Sequence, residues 1–226
     1  MTPLPSLLTL DSDGVFRADI LARIPGLTHG FGTRLSVDWP NAATAVVRQI
    51  HSDRVVVADA PGAHGEADAL VTDQSGFLLA VRTADCVPIL LVDELTHSVA
   101  AVHAGWRGTA SQILPRALDK MSRQYGTRAT DVLVAVGPAI GQCCFEVGPE
   151  VAVQFRRWFP ERDDLSSKTK IDLAEANLRQ LKAAGVQQDH IAVAQKCTRC
   201  DPELFHSWRR DAAAAGRMVA AIGWER

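Results

Sequence analysis

The chain has 226 residues, 47% of them hydrophobic and 22% charged, which is the balance of a globular protein with a sizeable core. Its formal net charge of −2 provides no attraction to nucleic acid or to a membrane surface, so we expect neither as a partner. The sequence has no apolar run long enough for a transmembrane helix and no signal-peptide pattern in residues 1–8, which favours a cytoplasmic protein.

Short apolar runs rich in β-branched residues, with turn residues between them, predict nine strands. They are Val46–His51, Val55–Ala58, Ala69–Thr72, Phe77–Arg82, Val87–Val92, Ser98–His103, Val132–Val136, Ile191–Ala194 and Arg217–Ile222. Runs of this length suit strands that are buried in a sheet, because they are too short for most helices.

Three segments have helical patterns, at Thr109–Gln124, Pro149–Trp158 and Leu173–Ala184. Pro149 suits the first turn of the second helix, and Asp172 is a candidate N-cap of the third. We expect a loop at residues 60–65 and an exposed connection at residues 160–170. Several strands followed by alternating elements predict one mixed α/β domain over residues 1–226, with a largely buried sheet.

Three residues that can bind soft metals lie at the ends of predicted strands. The apolar runs at 45–51, 76–86 and 98–103 lead into His51, Cys86 and His103. Taken singly, each has a structural alternative, because a lone cysteine is commonly buried and a lone histidine is commonly solvated or structural. Together, two imidazoles and a thiolate can bind a soft divalent metal and leave one coordination position open.

The residues that follow His103 predict an anion site. Gly105 and Gly108 lie on either side of Trp106 and Arg107, which indicates an unusual backbone or a close approach. The free N–H groups at the start of the following helix, together with the fixed charge of Arg107, would attract an anion.

The other four cysteines form two pairs in the sequence. Cys143 and Cys144 are adjacent, and adjacent cysteines rarely form a disulfide with each other. Cys197 and Cys200 form a C-x-x-C motif, which alone is compatible with half of a zinc site or with a redox pair. Because a second C-x-x-C is missing, we expect no closed four-cysteine site, and we expect thiols without a disulfide role.

With these motifs assembled, the chain resembles the YfiH-like family, also called the laccase-domain or purine nucleoside phosphorylase family. Members also carry the names polyphenol oxidase and peptidoglycan editing factor. The matching segments, which follow one another over nearly the whole chain, are Thr28–Arg34, Arg48–Ser52, Glu66–Thr72, Thr83–Pro88, His103–Gly108, Gly137–Val147, Phe205–Asp211 and Gly216–Met218.

The resemblance implies a single α/β domain with layered sheets and flanking helices. It also implies a zinc ion held by His51, Cys86 and His103. Three protein ligands and an open fourth position are typical of a catalytic zinc rather than a structural one. Cu²⁺ could use the same ligands, because copper generally binds more tightly than zinc.

The activity implied by the resemblance is zinc-dependent phosphorolysis of purine nucleosides, namely adenosine, inosine and methylthioadenosine, with adenosine deamination as a further activity. Arg48, Arg107 and the start of the helix after His103 are candidates for binding phosphate. Glu146 and Asp85 are candidates for carrying protons, although Glu146 also fits a surface carboxylate. The usual signature of base deaminases, H-x-E with P-C-x-x-C, is absent.

Three alternatives remain. The resemblance also implies an amidase that removes a wrongly attached amino acid from a nucleotide-sugar precursor of the cell wall. A metal-free form of that enzyme would use Cys86 as the nucleophile and His103 as its base. A copper-dependent polyphenol oxidase is disfavoured, because the chain has seven histidines and no paired histidine motifs. A non-enzymatic metal-binding module is disfavoured, because nearby arginines at an open metal site indicate a substrate.

Overall fold

The computed structural model describes residues 8–226. The expectation that the chain starts without a signal peptide concerns residues 1–8 and therefore lies almost entirely outside the described residues. Within residues 8–226, no helix combines the length and apolar character needed to cross a membrane.

Strands account for most of the regular structure. Residues 8–226 form fifteen of them, which are β1 (Leu8–Leu10), β2 (Phe16–Ala18), β3 (Leu27–Phe31), β4 (Thr44–Arg48), β5 (Val55–Val57), β6 (Gly62–Glu66), β7 (Ala69–Thr72), β8 (Leu78–Thr83), β9 (Val87–Asp93), β10 (Ser98–Ala104), β11 (Leu133–Val136), β12 (Glu146–Val147), β13 (Thr169–Lys170), β14 (Ile191–Val193) and β15 (Met218–Trp224). The helices of the same residues are α1 (Asp19–Ala22), α2 (Trp106–Ala110), α3 (Ile113–Tyr125), α4 (Pro149–Ala152), α5 (Leu173–Ala183) and α6 (Trp208–Asp211).

Two mixed sheets pack against each other. The first sheet has the strand order β1-β2-β3-β15-β8-β4-β6, and the second has the order β14-β11-β9-β10-β7-β5. Parallel pairs join β4 to β6 and β8 in the first sheet, and join β5 to β7 and β11 to β14 in the second. Strands β12 and β13 form a separate two-stranded ribbon.

The second sheet is the central layer of the fold. In β9, Leu90 and Val92 belong to the apolar core shared with the first sheet. Ile89 and Leu91, which point to the opposite face, belong to the core shared with the helices α3 and α5. A strand that is buried on both faces needs apolar residues at every position, and this explains the continuous apolar runs of β9 and β10.

The structure confirms the mixed α/β fold with layered sheets and flanking helices. All nine predicted strands are present, with bounds that differ by three residues at most. The third predicted helix is α5, and the side chain of Asp172 accepts a hydrogen bond from the Glu175 N–H at 2.9 Å, as expected of an N-cap. The first predicted helix is divided into α2 and α3, because Gln112 between them has a left-handed backbone with φ 63°.

Two predictions about connections are wrong. Residues 60–65 were expected to form a loop, but most of them belong to β6, an exposed edge strand that pairs with β4. This strand was not predicted because its residues show no alternation of apolar and polar side chains. Residues 160–170, expected to be exposed, include the fully buried Leu165 and end in β13, which pairs with β12. The second predicted helix is shorter than expected, because α4 ends at Ala152 and continues as a 3₁₀ turn to Phe155.

Candidate active site

The register between β9 and β10 brings two of the predicted metal ligands together. His103, near the end of β10, pairs with Pro88 of β9. Cys86 comes directly before β9, so the antiparallel pairing places it beside the end of β10. The two residues therefore meet because neighbouring strands run in opposite directions.

His51 reaches the same place through the pairing of β5 with β7. These strands are parallel, with Val55 opposite Ala69, so the turn that precedes β5 lies beside Asp68, which precedes β7. β7 pairs in turn with β10, and the His103 N–H donates to the Asp68 carbonyl oxygen at 2.8 Å. His51, Cys86 and His103 consequently share one end of the second sheet.

The three side chains form a compact ligand set. One ring nitrogen of His51, one ring nitrogen of His103 and the sulfur of Cys86 all lie within 4.8 Å of one another. The Nδ1 of His103 is 2.8 Å from Oδ1 of Asp68, whose carboxylate is fully buried. A proton on Nδ1 leaves the lone pair of Nε2 free for a metal ion. The donor set and its carboxylate partner fit a zinc-type ion with three protein ligands.

Asp68 is a site residue that the sequence analysis did not assign. Its Oδ1 accepts the His51 N–H at 2.9 Å, and its Oδ2 accepts the N–H and hydroxyl of Ser52 at 2.6 and 2.8 Å and the Ile50 N–H at 3.3 Å. One carboxylate thus fixes both the ring of His103 and the backbone that carries His51. The sequence holds a signal for it, since an aspartate that directly precedes a strand predicted to be buried needs buried hydrogen-bond partners.

The charges of the site depend on these hydrogen bonds. Burial raises the pKa of the Cys86 thiol, but hydrogen bonds with His103 and His51 outweigh burial and lower this pKa to about 7. Burial lowers the pKa of His103, but hydrogen bonds with Asp68 and Cys86 raise it to about 9. Burial also raises the pKa of Asp68, and hydrogen bonds from His103 and Ser52 bring it down to about 2. The thiol is therefore readily converted to the thiolate that metal binding requires.

The backbone beside the ligands is unusual. His51 has φ 58° and Asp85, next to Cys86, has φ 89°, and such conformations cost a non-glycine residue about 1–3 kcal/mol each. Gly105 approaches the ligands closely, because a Cβ atom at this position would lie 2.9 Å from the Cys86 sulfur and 3.3 Å from the His51 ring. Strained backbone and a required glycine at one place are typical of a functional site.

A cleft of about 760 Å³ opens over the three ligands. Its other walls are formed by arginines, aromatic residues and several smaller side chains, namely Val47, Gln49, Arg82, Ala84, Asp85, Trp106, Arg107, Ile140, Phe145, Trp208, Arg209 and Arg217. The volume lies within the range of small-molecule sites. The cleft therefore has room for a substrate next to the metal ligands.

Positive charge is the main electrostatic feature of this cleft. Among residues 8–226, no carboxylate lies within ion-pair distance of the four lining arginines, Arg82, Arg107, Arg209 and Arg217. Three of them lie over aromatic rings that also line the cleft. The guanidinium carbons are 4.3 Å from the Trp106 ring for Arg107, 5.2 Å from the Phe145 ring for Arg209 and 5.5 Å from the Trp208 ring for Arg217. Several uncompensated guanidinium groups in one cleft favour an anionic ligand.

The structure brings Arg107 to the cleft, as expected, but it does not bring Arg48 or Glu146 there. Arg48 forms an ion pair with Glu66 outside the cleft, because side chains alternate along β4 and the lining positions are its neighbours Val47 and Gln49. The carboxylate of Glu146 is 2.6 Å from the Lys168 ammonium and does not line the cleft. The expected phosphate role of Arg48 and proton-carrying role of Glu146 have no support from these positions.

Asp85 lies in the cleft, but its carboxylate is occupied by other groups. Oδ1 accepts the hydroxyl of Thr198 at 2.6 Å, and Oδ2 accepts the Arg209 N–H at 2.7 Å and the Ser207 hydroxyl at 3.1 Å. These bonds hold the segment that carries Trp208 and Arg209 against the metal ligands. Asp85 is placed to position the wall of the cleft, and its geometry gives no support to a proton-carrying role.

The remaining cysteines contradict one expectation. The sulfurs of Cys143, Cys144, Cys197 and Cys200 all lie within 4.8 Å of one another, and all four residues are free thiols. The absence of a second C-x-x-C therefore does not exclude a closed four-cysteine site, contrary to expectation. The adjacent pair Cys143 and Cys144, supplied from a distant turn, takes the place of a second C-x-x-C.

Comparison with known proteins identifies relatives over most of the chain. The family described as "Multi-copper polyphenol oxidoreductase laccase" matches residues 33–225. A protein of Geobacillus stearothermophilus named "Purine nucleoside phosphorylase YlmD" is 43% identical over 162 residues, which cover 69% of this chain and 59% of that protein. A protein from an unknown prokaryotic organism named "Adenosine deaminase RL5" is 40% identical over 191 residues, which cover 77% of this chain and 72% of that protein.

Solved structures show the same fold. The crystal structure of YlmD from Geobacillus stearothermophilus has a TM-score of 0.87 at 30% identity, and the match covers 98% of this chain and 100% of that one. The crystal structure of the Bacillus licheniformis hypothetical protein YfiH has a TM-score of 0.85 at 26% identity, with 96% and 99% covered. The names of these relatives support an enzyme of the nucleoside phosphorylase or deaminase type and give no support to the cell-wall precursor alternative.

Proposed function

The chain belongs to the multi-copper polyphenol oxidoreductase laccase family, and we propose that it is a zinc-dependent purine nucleoside phosphorylase acting on adenosine, inosine and methylthioadenosine. One observation carries this proposal: the ligand set His51, Cys86 and His103 lies in a cleft that also contains four arginines and three aromatic side chains. A metal site, an anion site and flat apolar surfaces in one cleft match the parts of a nucleoside and a phosphate ion.

Phosphate binding is the role of the arginines. Arg107 follows the metal ligand His103 by four residues at the start of α2, and Arg209 and Arg217 line the cleft with it. Guanidinium groups bind phosphate oxygens in a bidentate manner, and charge-assisted hydrogen bonds of this kind contribute about 1.5–3 kcal/mol each. Three such groups next to the ligand set would hold phosphate beside the sugar carbon that it attacks.

The aromatic residues provide the surface for the purine base. Trp106, Phe145 and Trp208 line the cleft, and Trp208 leaves 52% of its surface exposed. A large aromatic side chain that stays exposed beside a cleft is well suited to stack on a planar base.

The reaction replaces one bond to the sugar by another. The bond between C1′ and the purine nitrogen breaks, a phosphate oxygen bonds to C1′, and the departing purine takes up one proton. The bound metal would supply Lewis-acid activation of an oxygen nucleophile. Asp68 keeps the proton of His103 on Nδ1, and Asp85 holds the wall that carries Arg209.

Adenosine deamination is the second candidate, because a relative that is 40% identical is named "Adenosine deaminase RL5". Here water attacks C6 of the base and ammonia leaves, so neither phosphate nor cleavage of the glycosidic bond is needed. The same ligand set would serve, with the base turned toward the metal instead of the sugar.

Multicopper oxidation is not part of the proposal. The structure brings together two groups of three or more potential metal ligands among residues 8–226, and one of these consists of cysteines alone. A cluster of several copper ions needs more histidines than the two in the other group. The name of the matched family is therefore not a guide to the chemistry of this chain.

The test follows both reactions at once. The purified enzyme is incubated with adenosine or inosine, with and without phosphate, and base, sugar phosphate and deaminated nucleoside are separated by chromatography. Release of base that requires phosphate supports the proposal, conversion of adenosine to inosine supports the second candidate, and release of base without phosphate contradicts phosphorolysis.

A matched pair of variants tests the anion site. Arg107→Gln should raise the KM for phosphate by about 10–100-fold, the equivalent of one lost charge-assisted hydrogen bond. Arg48→Gln should leave this KM unchanged, because Arg48 pairs with Glu66 outside the cleft. Equal effects of the two substitutions would contradict the assignment of the phosphate site.

A further inference from the structure

The four cysteines outside the cleft form a second cluster of potential metal ligands, which we call the cysteine cluster: Cys143, Cys144, Cys197 and Cys200. Two turns supply it. Cys143 and Cys144 lie in the turn after Gly141, and Cys197 and Cys200 lie in a turn that follows β14. The turns are fixed next to each other by a bridge between Ala139 and Cys197.

The spacing of the sulfurs matches the coordination shell of a single ion. The Sγ atoms of Cys143 and Cys144 are 3.7 Å apart, those of Cys143 and Cys200 are 3.7 Å apart, and those of Cys144 and Cys200 are 3.4 Å apart. A tetrahedral zinc ion with Zn–S bonds of about 2.3 Å separates its sulfur ligands by about 3.8 Å. These three separations are close to that value and much longer than a disulfide bond of about 2.05 Å, and the Cys197 sulfur lies within 4.8 Å of the other three.

The surroundings of the cluster suit thiolates. The Gly141 N–H donates to the Cys197 sulfur at 3.3 Å, which is a bond that stabilises a negatively charged sulfur. Lys196 lines the same surface pocket as Cys143 and Cys197, so it supplies positive charge near a site with four anionic ligands. Gly141 leaves space for the sulfurs, because a Cβ atom there would lie 3.3 Å from both Cys143 Sγ and Cys197 Cβ.

We propose that the cysteine cluster binds one zinc ion as a closed structural site, in addition to the metal site in the cleft. Each thiol gives up its proton to solvent as the ion binds, and no oxidant is needed. Four thiolate ligands leave no open position, so this ion has no direct part in catalysis.

The proposed ion would tie two walls of the cleft together. Phe145, which lines the cleft, directly follows Cys144. Thr198, which lies between Cys197 and Cys200, donates to Asp85 at 2.6 Å, and Asp85 also lines the cleft. The proposed site does not depend on which reaction the cleft catalyses, because none of the four cysteines lines the cleft.

Metal analysis of the purified full chain, prepared under reducing conditions with zinc in the growth medium, tests the proposal. We expect two zinc ions per chain in the wild type, one in Cys200→Ser, one in Cys86→Ala and none in the double variant. Cys143→Ser should behave like Cys200→Ser, and it serves as the second variant should Cys200→Ser fail to fold. Cys86→Ala is the matched control, because it removes a thiolate from the other site.

A cobalt titration supplies a readout of ligand type. Metal-free Cys86→Ala protein is titrated with Co²⁺, and the near-ultraviolet charge-transfer absorption of cobalt thiolates is recorded. We expect this absorption to reach a plateau at one equivalent and to be lost in the Cys86→Ala, Cys200→Ser double variant. Zinc should also raise the Tm of Cys86→Ala protein, since an ion that binds the folded state alone stabilises it.

Several outcomes would overturn the proposal. In the metal analyses, the proposal fails if Cys86→Ala protein takes up neither zinc nor cobalt, or if Cys200→Ser protein keeps the full wild-type zinc content. It also fails if the cluster contains iron in place of zinc, or if the intact mass of freshly purified protein shows disulfides among the four cysteines. Absence of nucleoside turnover in protein with two zinc ions would count against the proposed function and leave the cysteine site supported.

Discussion

Replacing Asp68 by asparagine changes one atom of a buried side chain and tests how the metal ligands are held. Oδ2 of Asp68 accepts three hydrogen bonds, from the N–H groups of Ile50 and Ser52 and from the Ser52 hydroxyl, whereas Oδ1 accepts two, from His51 and His103. The oxygen of an asparagine should therefore stay on the three-donor side. Its NH₂ group would then face the His51 N–H and Nδ1 of His103.

Replacing the Oδ1 oxygen of Asp68 by an NH₂ group should have two effects, one on metal affinity and one on folding. Nδ1 of His103 becomes an acceptor, so the proton moves to Nε2 and the lone pair needed by the metal is lost. Removing the partner that orients a metal-binding histidine typically costs about 10–100-fold in metal affinity, or about 1.4–2.7 kcal/mol. The unpaired N–H of His51 adds a folding cost of about 1–3 kcal/mol.

The assay is a zinc competition titration against a chromophoric chelator, in a Cys200→Ser background that reports the cleft alone. Ser52→Ala is the matched control, because its hydroxyl bonds to Oδ2 and leaves the bond from His103 intact. We expect Asp68→Asn to lose at least tenfold in zinc affinity and Ser52→Ala to lose much less. Wild-type affinity in Asp68→Asn, or equal losses in both variants, would refute the assignment of Asp68.

Two further predictions concern close packing and pH. Gly105→Ala should keep the fold, since φ −72° suits alanine, but its Cβ would lie 2.9 Å from the Cys86 sulfur. Overpacking of this kind costs about 1–3 kcal/mol, so zinc affinity should fall by about fivefold or more. Unchanged zinc affinity in the same titration would contradict the close approach. His29 is buried, and burial together with the charge of Arg17 lowers its pKa to about 4 while its Nε2 accepts the Ala18 N–H at 3.0 Å. The pKa of His29 in the folded protein lies below its value of about 6.5 in the unfolded chain. The free energy of unfolding should therefore be highest above pH 6.5 and fall by about 3 kcal/mol as the pH drops toward 4. Urea unfolding of His29→Gln, with His64→Gln as the control, should show a weaker dependence over this range, and an unchanged dependence would contradict the prediction.

The sequence predicted the central layer of the fold well, for a physical reason. β9 and β10 are buried on both faces, between the first sheet and the helices, so their residues must be apolar throughout. β6 was missed because it is an exposed edge strand of glycine, alanine, histidine and glutamate, and its pairing is decided by its neighbour β4. A pattern that depends on burial can reveal only the strands that are buried.

The same contrast applies to the candidate site. His51, Cys86 and His103 were identified as candidate metal ligands from their positions at the ends of predicted strands, and the structure places these three together. Arg48, expected to bind phosphate, does not line the cleft, because alternation along β4 turns its side chain toward Glu66. Arg209 and Arg217 were missed as cleft residues because they come from the far end of the chain, which Asp85 holds in place.

The sequence by itself determined the fold class and identified three candidate metal ligands, because burial and strand ends leave local patterns in the order of residues. Tertiary structure alone decided what surrounds those ligands. Asp68 behind His103, the arginines across the cleft and the four sulfurs of the cysteine cluster all come together through strand register and turn packing between distant segments. The order of residues carries no direct record of such contacts, since each depends on how two separate segments pair.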